Sequence, residues 1–472
     1  MSRKKKKPNP VIENIEIIDI ASEGKALAKY NDIVVFVKNA VPGDICDLQV
    51  TKKKKNYMEA YPVKFHKYST IRIKPECSHF EICGGCTWQQ LPYDKQLFYK
   101  HKQINEQFSH IGKFDYPEIK AVLPSEKQFF YRNKLEYTFS NKRWLTKDEI
   151  NTEHTIKDLN ALGFHIPGKF DKILDIEKCY LQEEPSNKIR NEIKKFAIAN
   201  DFDFYDIKNK TGLLRNLIIR NTTTKELMVI VVFGRKDEDK QNKLLSFIAD
   251  TFPQITSLQY TINTKLNETL YDLEIITYKG YPFITEKLGD MVFRVNPKSF
   301  YQTNSLQAEK LYKKILEFAS PTAEDLVYDL YTGTGTIANF IAPHCKFVVG
   351  IDSVPEAIED AYINSENNNN KNLSFYAGDM KELLNSDFFD KNGYPDIIIT
   401  DPPRAGMHPK VVENILNSGA KKIIYVSCNP ATQARDLSVL SLKYKILDIQ
   451  PVDMFPQTTH IENIVKLEKI SL

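Results

Sequence analysis

Apolar and polar residues alternate in short runs across residues 11–66, for example over 15–20, 33–37 and 45–50. Turn-forming residues such as Pro42-Gly43-Asp44 separate these runs. A period of two predicts strands with one buried face, and several short strands in a row predict a small β-barrel. We therefore predict an OB-like barrel in a first domain, residues 1–68. Such barrels often bind oligonucleotides, and a purely structural β-domain is the alternative.

The pattern changes twice along the rest of the chain. Residues 93–111 predict a helix, and residues 119–295 mix apolar strand-like runs such as 227–233 with a helix around 187–199. From about residue 296, apolar runs alternate with helical segments in the manner of βαβ units. The sequence thus predicts a multidomain α/β protein, with an α+β middle domain (69–295) and a Rossmann-like C-terminal domain (296–472).

Composition and charge narrow the class of protein. The chain has 472 residues, of which 42% are hydrophobic, and its longest apolar run, 227–233, is too short to span a bilayer. Lys4–Lys7 is not followed by the apolar segment of a secretion signal. We therefore predict a cytoplasmic protein that does not associate with membranes. We also expect a monomer.

Charge is unevenly distributed between the two ends of the chain. Residues 1–68 contain 14 Lys and Arg against 8 Asp and Glu, whereas residues 301–472 contain 16 against 22. The basic end is a candidate for binding a polyanion such as RNA. The lysine runs at 4–7 and 52–55 are equally consistent with solvated charge.

Four of the seven cysteines form a metal-ligand pattern. Cys77, Cys83 and Cys86 are spaced C-x5-C-x2-C around Gly84-Gly85, and Cys179 is the next cysteine along the chain. Four thiolates bind either one Zn²⁺ or an iron–sulfur cluster, and the spacing does not choose between them. Cys46 and Cys345 lie in or beside predicted strands, where we expect small core residues.

A cofactor site is predicted where an apolar strand, residues 327–331, runs into the turn Gly333-Thr334-Gly335. The third glycine of the dinucleotide fingerprint is replaced by Ala338, which disfavours NAD. The next two strands end in Asp352 and Asp379, which could accept hydrogen bonds from ribose hydroxyls and an adenine amino group. Together the three strand ends suggest S-adenosylmethionine.

Reactive groups follow the later strands. Cys428 follows the apolar run 423–427, Asp401 opens Asp401-Pro402-Pro403-Arg404 after the run 397–400, and Glu462 precedes a closing strand. The carboxyl ends of parallel strands form the ligand edge of such a sheet. A thiol with two acids nearby suggests covalent catalysis.

These motifs, Asp401-Pro402-Pro403-Arg404-Ala405-Gly406 and Tyr425-Val426-Ser427-Cys428-Asn429-Pro430 together with Glu462, resemble those of the RNA uracil-5-methyltransferase family. The N-terminal barrel looks like a TRAM domain. With the cysteine cluster, it makes the chain similar to the 23S ribosomal RNA branch of that family. The resemblance covers nearly the whole chain and implies an S-adenosylmethionine-dependent enzyme that methylates C5 of a uridine in RNA.

The resemblance also implies roles for individual residues. Cys428 would be the nucleophile that adds to uracil C6, and Glu462 the base that removes the C5 proton. A [4Fe-4S] cluster would be held by Cys77, Cys83, Cys86 and Cys179. Cofactor contacts would come from Gln302, Tyr331, Asp352, Asp379 and Asp401. The chain departs from the family's common pattern at Thr336, where asparagine is frequent, and at Asp352, where glutamate is.

Three alternatives remain open. Transfer RNA could be the substrate instead of ribosomal RNA. An amino-group methyltransferase would also use an Asp-Pro-Pro motif, but it would carry an aromatic residue at the position of Arg404 and no thiol. An iron–sulfur RNA-binding protein without catalysis would not need Cys428, Glu462 and the three cofactor strand ends.

Overall fold

The computed structural model of the protein describes residues 9–150 and 158–470. The N-terminal small β-barrel is confirmed: five strands close in the order β1-β2-β3-β5-β4. Alternate residues point into the barrel, including the fully buried Cys46. The lysine run 4–7 lies outside the described residues. The strands are β1 (Val11–Ile20), β2 (Ala26–Tyr30), β3 (Ile33–Val37), β4 (Ile45–Lys53) and β5 (Tyr57–Lys67).

One helix connects the barrel to the rest of the molecule. A turn-rich segment with three of the cysteines leads into α1 (Tyr93–Gln107). Ile104 of this helix and Phe108 just beyond it are fully buried in the same apolar cluster as Tyr328 of the C-terminal sheet and Leu437, which lies on a helix beside that sheet. The helix therefore packs on the C-terminal α/β layer.

The middle region is built around a seven-stranded sheet in the order β12-β11-β10-β9-β6-β7-β8. Its strand β10 is apolar at every position and buried on both faces. Val229 and Val231 join the core of the middle region, while Ile230 and Val232 join the core that contains the C-terminal sheet. The elements are β6 (Lys134–Ser140), α2 (Lys147–Ile150), β7 (Ala161–Ile166), β8 (Lys169–Asp175), α3 (Ser186–Ala199), β9 (Leu214–Asn221), β10 (Leu227–Phe233), α4 (Glu238–Thr251), β11 (Ser257–Ile262) and β12 (Ile276–Gly280).

The C-terminal region is a doubly wound α/β sheet, as predicted, in the order β17-β16-β15-β18-β19-β21-β20. A short hairpin, β13 and β14, precedes it. The elements are β13 (Ile284–Leu288), β14 (Met291–Val295), α5 (Ser305–Ala319), β15 (Leu326–Leu330), α6 (Thr336–Ile341), β16 (Phe347–Asp352), α7 (Pro355–Asn367), β17 (Leu373–Ala377), α8 (Met380–Leu383), α9 (Ser386–Asn392), β18 (Ile397–Thr400), α10 (Pro409–Ser418), β19 (Lys422–Ser427), α11 (Pro430–Leu440), β20 (Tyr444–Val452) and β21 (Glu462–Lys469).

The direction of strand β21 determines the position of Glu462. Strands β15 to β19 are parallel, but β21 runs antiparallel to β19, with Ser427 opposite Asn463. The beginning of β21 therefore meets the end of β19. Glu462, the first residue of β21, thus lies at the carboxyl edge of the parallel strands, beside the turn that carries Cys428.

No helix among residues 9–150 and 158–470 is long and apolar enough to cross a membrane. The boundaries 1–68, 69–295 and 296–472 remain a prediction.

Candidate active site

The thiol of Cys428 lies on a tight turn between β19 and α11. Asn429 caps this helix, since its side-chain oxygen accepts a hydrogen bond of 3.1 Å from the main-chain N–H of Ala431. The Ser427 hydroxyl accepts a hydrogen bond of 3.1 Å from the N–H of Asn429. Both residues flanking the half-buried Cys428 are thus fixed by local hydrogen bonds, which holds the thiol at the edge of the sheet.

The loop after β18 packs against this turn. The side-chain amide of Asn429 donates to the main-chain carbonyl of Arg404 at 2.9 Å, and the Thr432 hydroxyl donates to the same carbonyl at 3.2 Å. The positive charge of the Arg404 guanidinium lowers the pKa of the Cys428 thiol against the opposing effect of burial. Arg404 therefore joins the two motifs and brings a positive charge to the sulfur.

Two acids complete this cluster. Glu462 is 5% exposed, and Asp401 is half-buried after β18. Burial raises the pKa of both carboxyls, and the charge of Asp401 raises that of Glu462 further, whereas Arg404 opposes the shift. Burial, followed by the charges of Glu462 and Asp401, raises the pKa of Cys428 to about 11. The structure therefore brings together three of the residues that the sequence predicted: Cys428, Asp401 and Glu462.

His460 adds an uncharged ring to the edge of the cluster. Desolvation, and then the charges of Arg404 and Lys100, lower its pKa, so the ring is neutral at physiological pH. Either ring nitrogen lies 3.4 Å from Nη2 of Arg404, and a neutral ring offers an acceptor to this guanidinium.

The predicted cofactor turn also has the expected form. Gly333 and Gly335 adopt left-handed backbone conformations, with φ of 55° and 74°. A Cβ on Gly335 would lie 2.9 Å from that of Ala361, so this glycine permits close helix packing, whereas a Cβ on Gly333 would meet open space. Asp352 accepts main-chain hydrogen bonds of 2.9 Å from Gly333 and Val354 on its two oxygens. Each oxygen retains a lone pair for a ribose hydroxyl.

The remaining predicted cofactor residues differ in their surroundings. Tyr331 has φ of 64°, which is strained for a tyrosine, and burial followed by the charges of Asp436, Asp379 and Asp352 raises its pKa to about 12. Asp379 is exposed, caps α8 and pairs with Lys381 at 3.1 Å. Gln302 is buried, and its main-chain carbonyl accepts a 2.9 Å hydrogen bond from the Asn133 amide.

Sequence reasoning did not assign site roles to Asp329, Arg404 and His460. Asp329 is 1% exposed inside β15; one oxygen accepts from Thr332 at 2.6 Å, and the other has no partner among the described residues. Burial raises its pKa to about 7. The sequence did contain one signal for a role of Asp329, because an acidic residue inside an otherwise apolar strand is unusual. Asp329, Asp401 and Glu462 together leave the site rich in carboxyl groups with raised pKa values. A cationic sulfonium bound beside them would favour their ionised form.

The four predicted cluster cysteines line a cavity of about 560 Å³, which also contacts His460. All four are free thiols. Burial, followed by the charges of Cys179, Cys83 and Cys77, raises the pKa of the Cys86 thiol to about 12, whereas a hydrogen bond with Gln89 opposes the shift. Within residues 9–150 and 158–470, however, no three or more Cys, His, Asp or Glu side chains are arranged to hold a single metal ion.

An iron–sulfur cluster and a single metal ion require different spacings between their thiolate ligands. Zinc draws its thiolates together with bonds of about 2.3 Å. An iron–sulfur cluster has its own iron and sulfide core and therefore holds its four thiolates farther apart. Four free thiols around one cavity have the donor chemistry of such a core.

Comparisons with known proteins agree with the fold and site. Residues 221–470 match the model of the tRNA (uracil-5-)-methyltransferase family. An uncharacterized RNA methyltransferase of Bacteroides thetaiotaomicron is 55% identical over 452 residues, covering 95% of this chain and all of that protein. One from Porphyromonas gingivalis is 50% identical over 460 residues, covering 96% and 99%.

A solved structure matches over nearly the same length. The Pyrococcus abyssi tRNA (uracil-54, C5)-methyltransferase, in complex with S-adenosyl-L-homocysteine, has a TM-score of 0.74 and 30% identity. The match covers 96% of this chain and 99% of that one. The fold and site therefore define an S-adenosylmethionine-dependent methyltransferase that acts on RNA. More specifically, the chain belongs to the tRNA (uracil-5-)-methyltransferase family. This confirms the RNA uracil-5-methyltransferase family that the sequence motifs suggested.

Proposed function

We propose that this enzyme methylates C5 of a uridine in 23S ribosomal RNA through a covalent adduct between Cys428 and uracil C6. The convergence of Cys428, Arg404, Asp401 and Glu462 at one edge of the sheet carries the proposal. Uracil C5 is a weak nucleophile until a group adds at C6, and a thiolate is well suited to that addition. Arg404 stabilises the thiolate, because its positive charge lowers the thiol pKa against the opposing effect of burial.

The chemical steps can be followed on this chain's own groups. The sulfur of Cys428 forms a bond to C6, and the C5–C6 π electrons become available at C5. S-adenosylmethionine, when bound, would supply the methyl group that C5 takes, and it would leave as S-adenosylhomocysteine with the electron pair of the broken sulfur–methyl bond. Glu462 then removes the C5 proton, the C5–C6 double bond re-forms and the sulfur–C6 bond breaks. A buried carboxylate with a raised pKa is a stronger base than an ordinary glutamate, which suits Glu462 to this step.

The cofactor is proposed to lie against the Gly333 turn. Asp352 would accept from the ribose hydroxyls, Tyr331 would line the pocket, and Asp379 would accept from the adenine amino group. Gln302 and Asp401 would contact the methionine portion. The open space in front of Gly333 and the free lone pairs of Asp352 support this arrangement.

A [4Fe-4S] cluster on Cys77, Cys83, Cys86 and Cys179 is proposed as a resident group. Its support is the single cavity that these four free thiols line. It would tie the segment after the barrel to the middle region, since Cys179 follows β8.

Transfer RNA is a second candidate substrate, favoured by the match to the P. abyssi enzyme over nearly the full length of both chains. The purified enzyme should be incubated with radiolabelled S-adenosylmethionine and one of two RNA substrates. These are 23S ribosomal RNA and bulk transfer RNA, each without 5-methyluridine. Label in 5-methyluridine of ribosomal RNA alone supports the first candidate, and label in transfer RNA alone supports the second. Label in another nucleoside, or in neither RNA, contradicts the proposed reaction; Cys428→Ala serves as the inactive control.

A further inference from the structure

The loop of residues 453–461, which delivers His460 and Glu462, is tied down by groups far away in sequence. Asp453 and Lys100 both have fully buried side chains and form an ion pair of 2.6 Å. Lys100 also donates to the carbonyl of Phe455 at 3.0 Å, and the Tyr93 hydroxyl donates to the other oxygen of Asp453 at 2.8 Å. Helix α1 therefore fixes the start of the 453–461 loop through a satisfied buried pair.

A second tie lies closer to the catalytic residues. The Gln96 amide donates to the side-chain oxygen of Gln457 at 3.0 Å, and the Gln457 main-chain N–H donates back to the Gln96 oxygen at 2.9 Å. Gln457 has φ of 67°, a conformation that is costly for a residue with a side chain. The paired hydrogen bonds hold this strained residue, which precedes Glu462 by five positions.

The cysteine segment and the barrel meet the same loop. The main-chain N–H groups of Thr87 and Trp88, directly after Cys86, donate to the carbonyl of Gln457 at 2.8 and 3.1 Å. Gly24 of the barrel packs so closely that a Cβ there would lie 2.0 Å from Cγ2 of Thr459. The loop is thus the point where the barrel, the cysteine segment and α1 all contact the catalytic edge.

We propose that Gln96 is a positioning residue for the methylation reaction: by fixing Gln457, it makes the 453–461 loop hold Glu462 at the sheet edge. This inference rests on the proposed role of Glu462 as the base. Gln96 lies on α1 and belongs to neither motif of the active site. Its loss should slow removal of the C5 proton, while addition of Cys428, which sits on a separate turn, continues.

Gln96→Leu should be compared with Gln103→Leu, which makes the same change further along the same helix. We expect Gln96→Leu to lower kcat about 10- to 100-fold with little change in KM for RNA, because small displacements of catalytic groups cost that much. A covalent protein–RNA adduct should accumulate on denaturing gels. Deuterium exchange of RNA-free enzyme should rise in peptides covering 453–461. Gln103→Leu should behave as wild type in all three measurements.

Gln457→Gly is the second variant, since glycine keeps the left-handed backbone and removes only the side-chain partner of Gln96. If Gln96→Leu does not fold, Gln457→Gly decides, with the same kinds of change but smaller ones, because the main-chain hydrogen bond from residue 457 to Gln96 stays. Wild-type kcat and wild-type loop exchange would overturn the inference, and so would parallel loss of turnover and adduct. If the proposed function is wrong, the results differ: wild-type enzyme makes no 5-methyluridine, or Glu462→Gln turns over normally. Deuterium exchange of the 453–461 peptides still shows in that case whether Gln96 holds the loop.

Discussion

The side-chain amide of Asn429 donates a 2.9 Å hydrogen bond to the main-chain carbonyl of Arg404, and this contact joins the two sequence motifs into one structural unit. The same asparagine caps α11 directly after the thiol. A change that displaces either motif should therefore displace the other. The nucleophile and the guanidinium that lowers its pKa keep their relative position through this hydrogen bond.

Cys428→Ala should abolish methylation and leave S-adenosylmethionine binding unchanged, because the sulfur acts on the base and not on the cofactor. Turnover is measured by methyl transfer to RNA, and cofactor binding by calorimetry. Cys345→Ala, at a buried cysteine of the C-terminal core, is the matched control and should remain active. Measurable turnover by Cys428→Ala would remove the thiol from the mechanism.

Glu462→Gln should arrest the reaction after methyl transfer, because an amide cannot take the C5 proton and the sulfur–C6 bond cannot then break. A protein–RNA adduct that survives denaturation should accumulate, and mass spectrometry should find the methyl group in it. Glu468→Gln, on the same strand, should release product as wild type does. If Glu462→Gln forms no adduct and releases methylated RNA at the normal rate, Glu462 is not the base.

Arg404→Gln should move the activity profile to higher pH. Arg404 lowers the pKa of Cys428, so its removal raises that pKa and leaves less thiolate at neutral pH. We expect kcat/KM to fall most near pH 7 and to recover partly towards about pH 9. The rate at which iodoacetamide alkylates Cys428, measured by mass spectrometry of the peptide that contains it, should show the same shift to higher pH. Lys410→Gln is the control, and an unshifted profile in Arg404→Gln would contradict the role of the guanidinium.

Protein purified without oxygen should contain iron and inorganic sulfide in equal amounts, with broad absorbance in the visible range. Cys179→Ser should lower both together, since it removes one of the four thiols around the cavity. Cys46→Ser, inside the barrel, should keep the iron content. Stoichiometric zinc without sulfide would decide against a cluster.

Lys53, Lys54 and Lys55 are exposed at the turn between β4 and β5. If they contact phosphates, replacing all three by Gln should weaken RNA binding at low salt. The slope of log K against log salt should fall by about 0.7 for each lost single-strand contact. Cofactor binding and kcat at saturating RNA should not change. An unchanged slope would show that this lysine run is solvated in the complex.

Local patterns predicted a large part of this structure. Alternation over 11–66 predicted the barrel, and apolar runs with following reactive residues predicted that Asp401 and Cys428 share the sheet edge. The ion pair between Lys100 and Asp453 could not be predicted from the sequence, because the two residues are 353 positions apart. The sequence around neither residue contains a pattern that specifies the other as its partner. The exposure of Asp379 and its pairing with Lys381 likewise depend on side-chain packing that periodicity does not encode.

Strand β21 lies between β19 and β20, although it follows both in the sequence. Until β21 docks, the apolar strand β19 has one edge without hydrogen-bonding partners, and such an edge can pair with another chain. The insertion that brings Glu462 to Cys428 therefore also covers this edge of β19 in the folded protein. Substitutions that weaken this hairpin should reduce the yield of soluble protein as well as the rate of methylation.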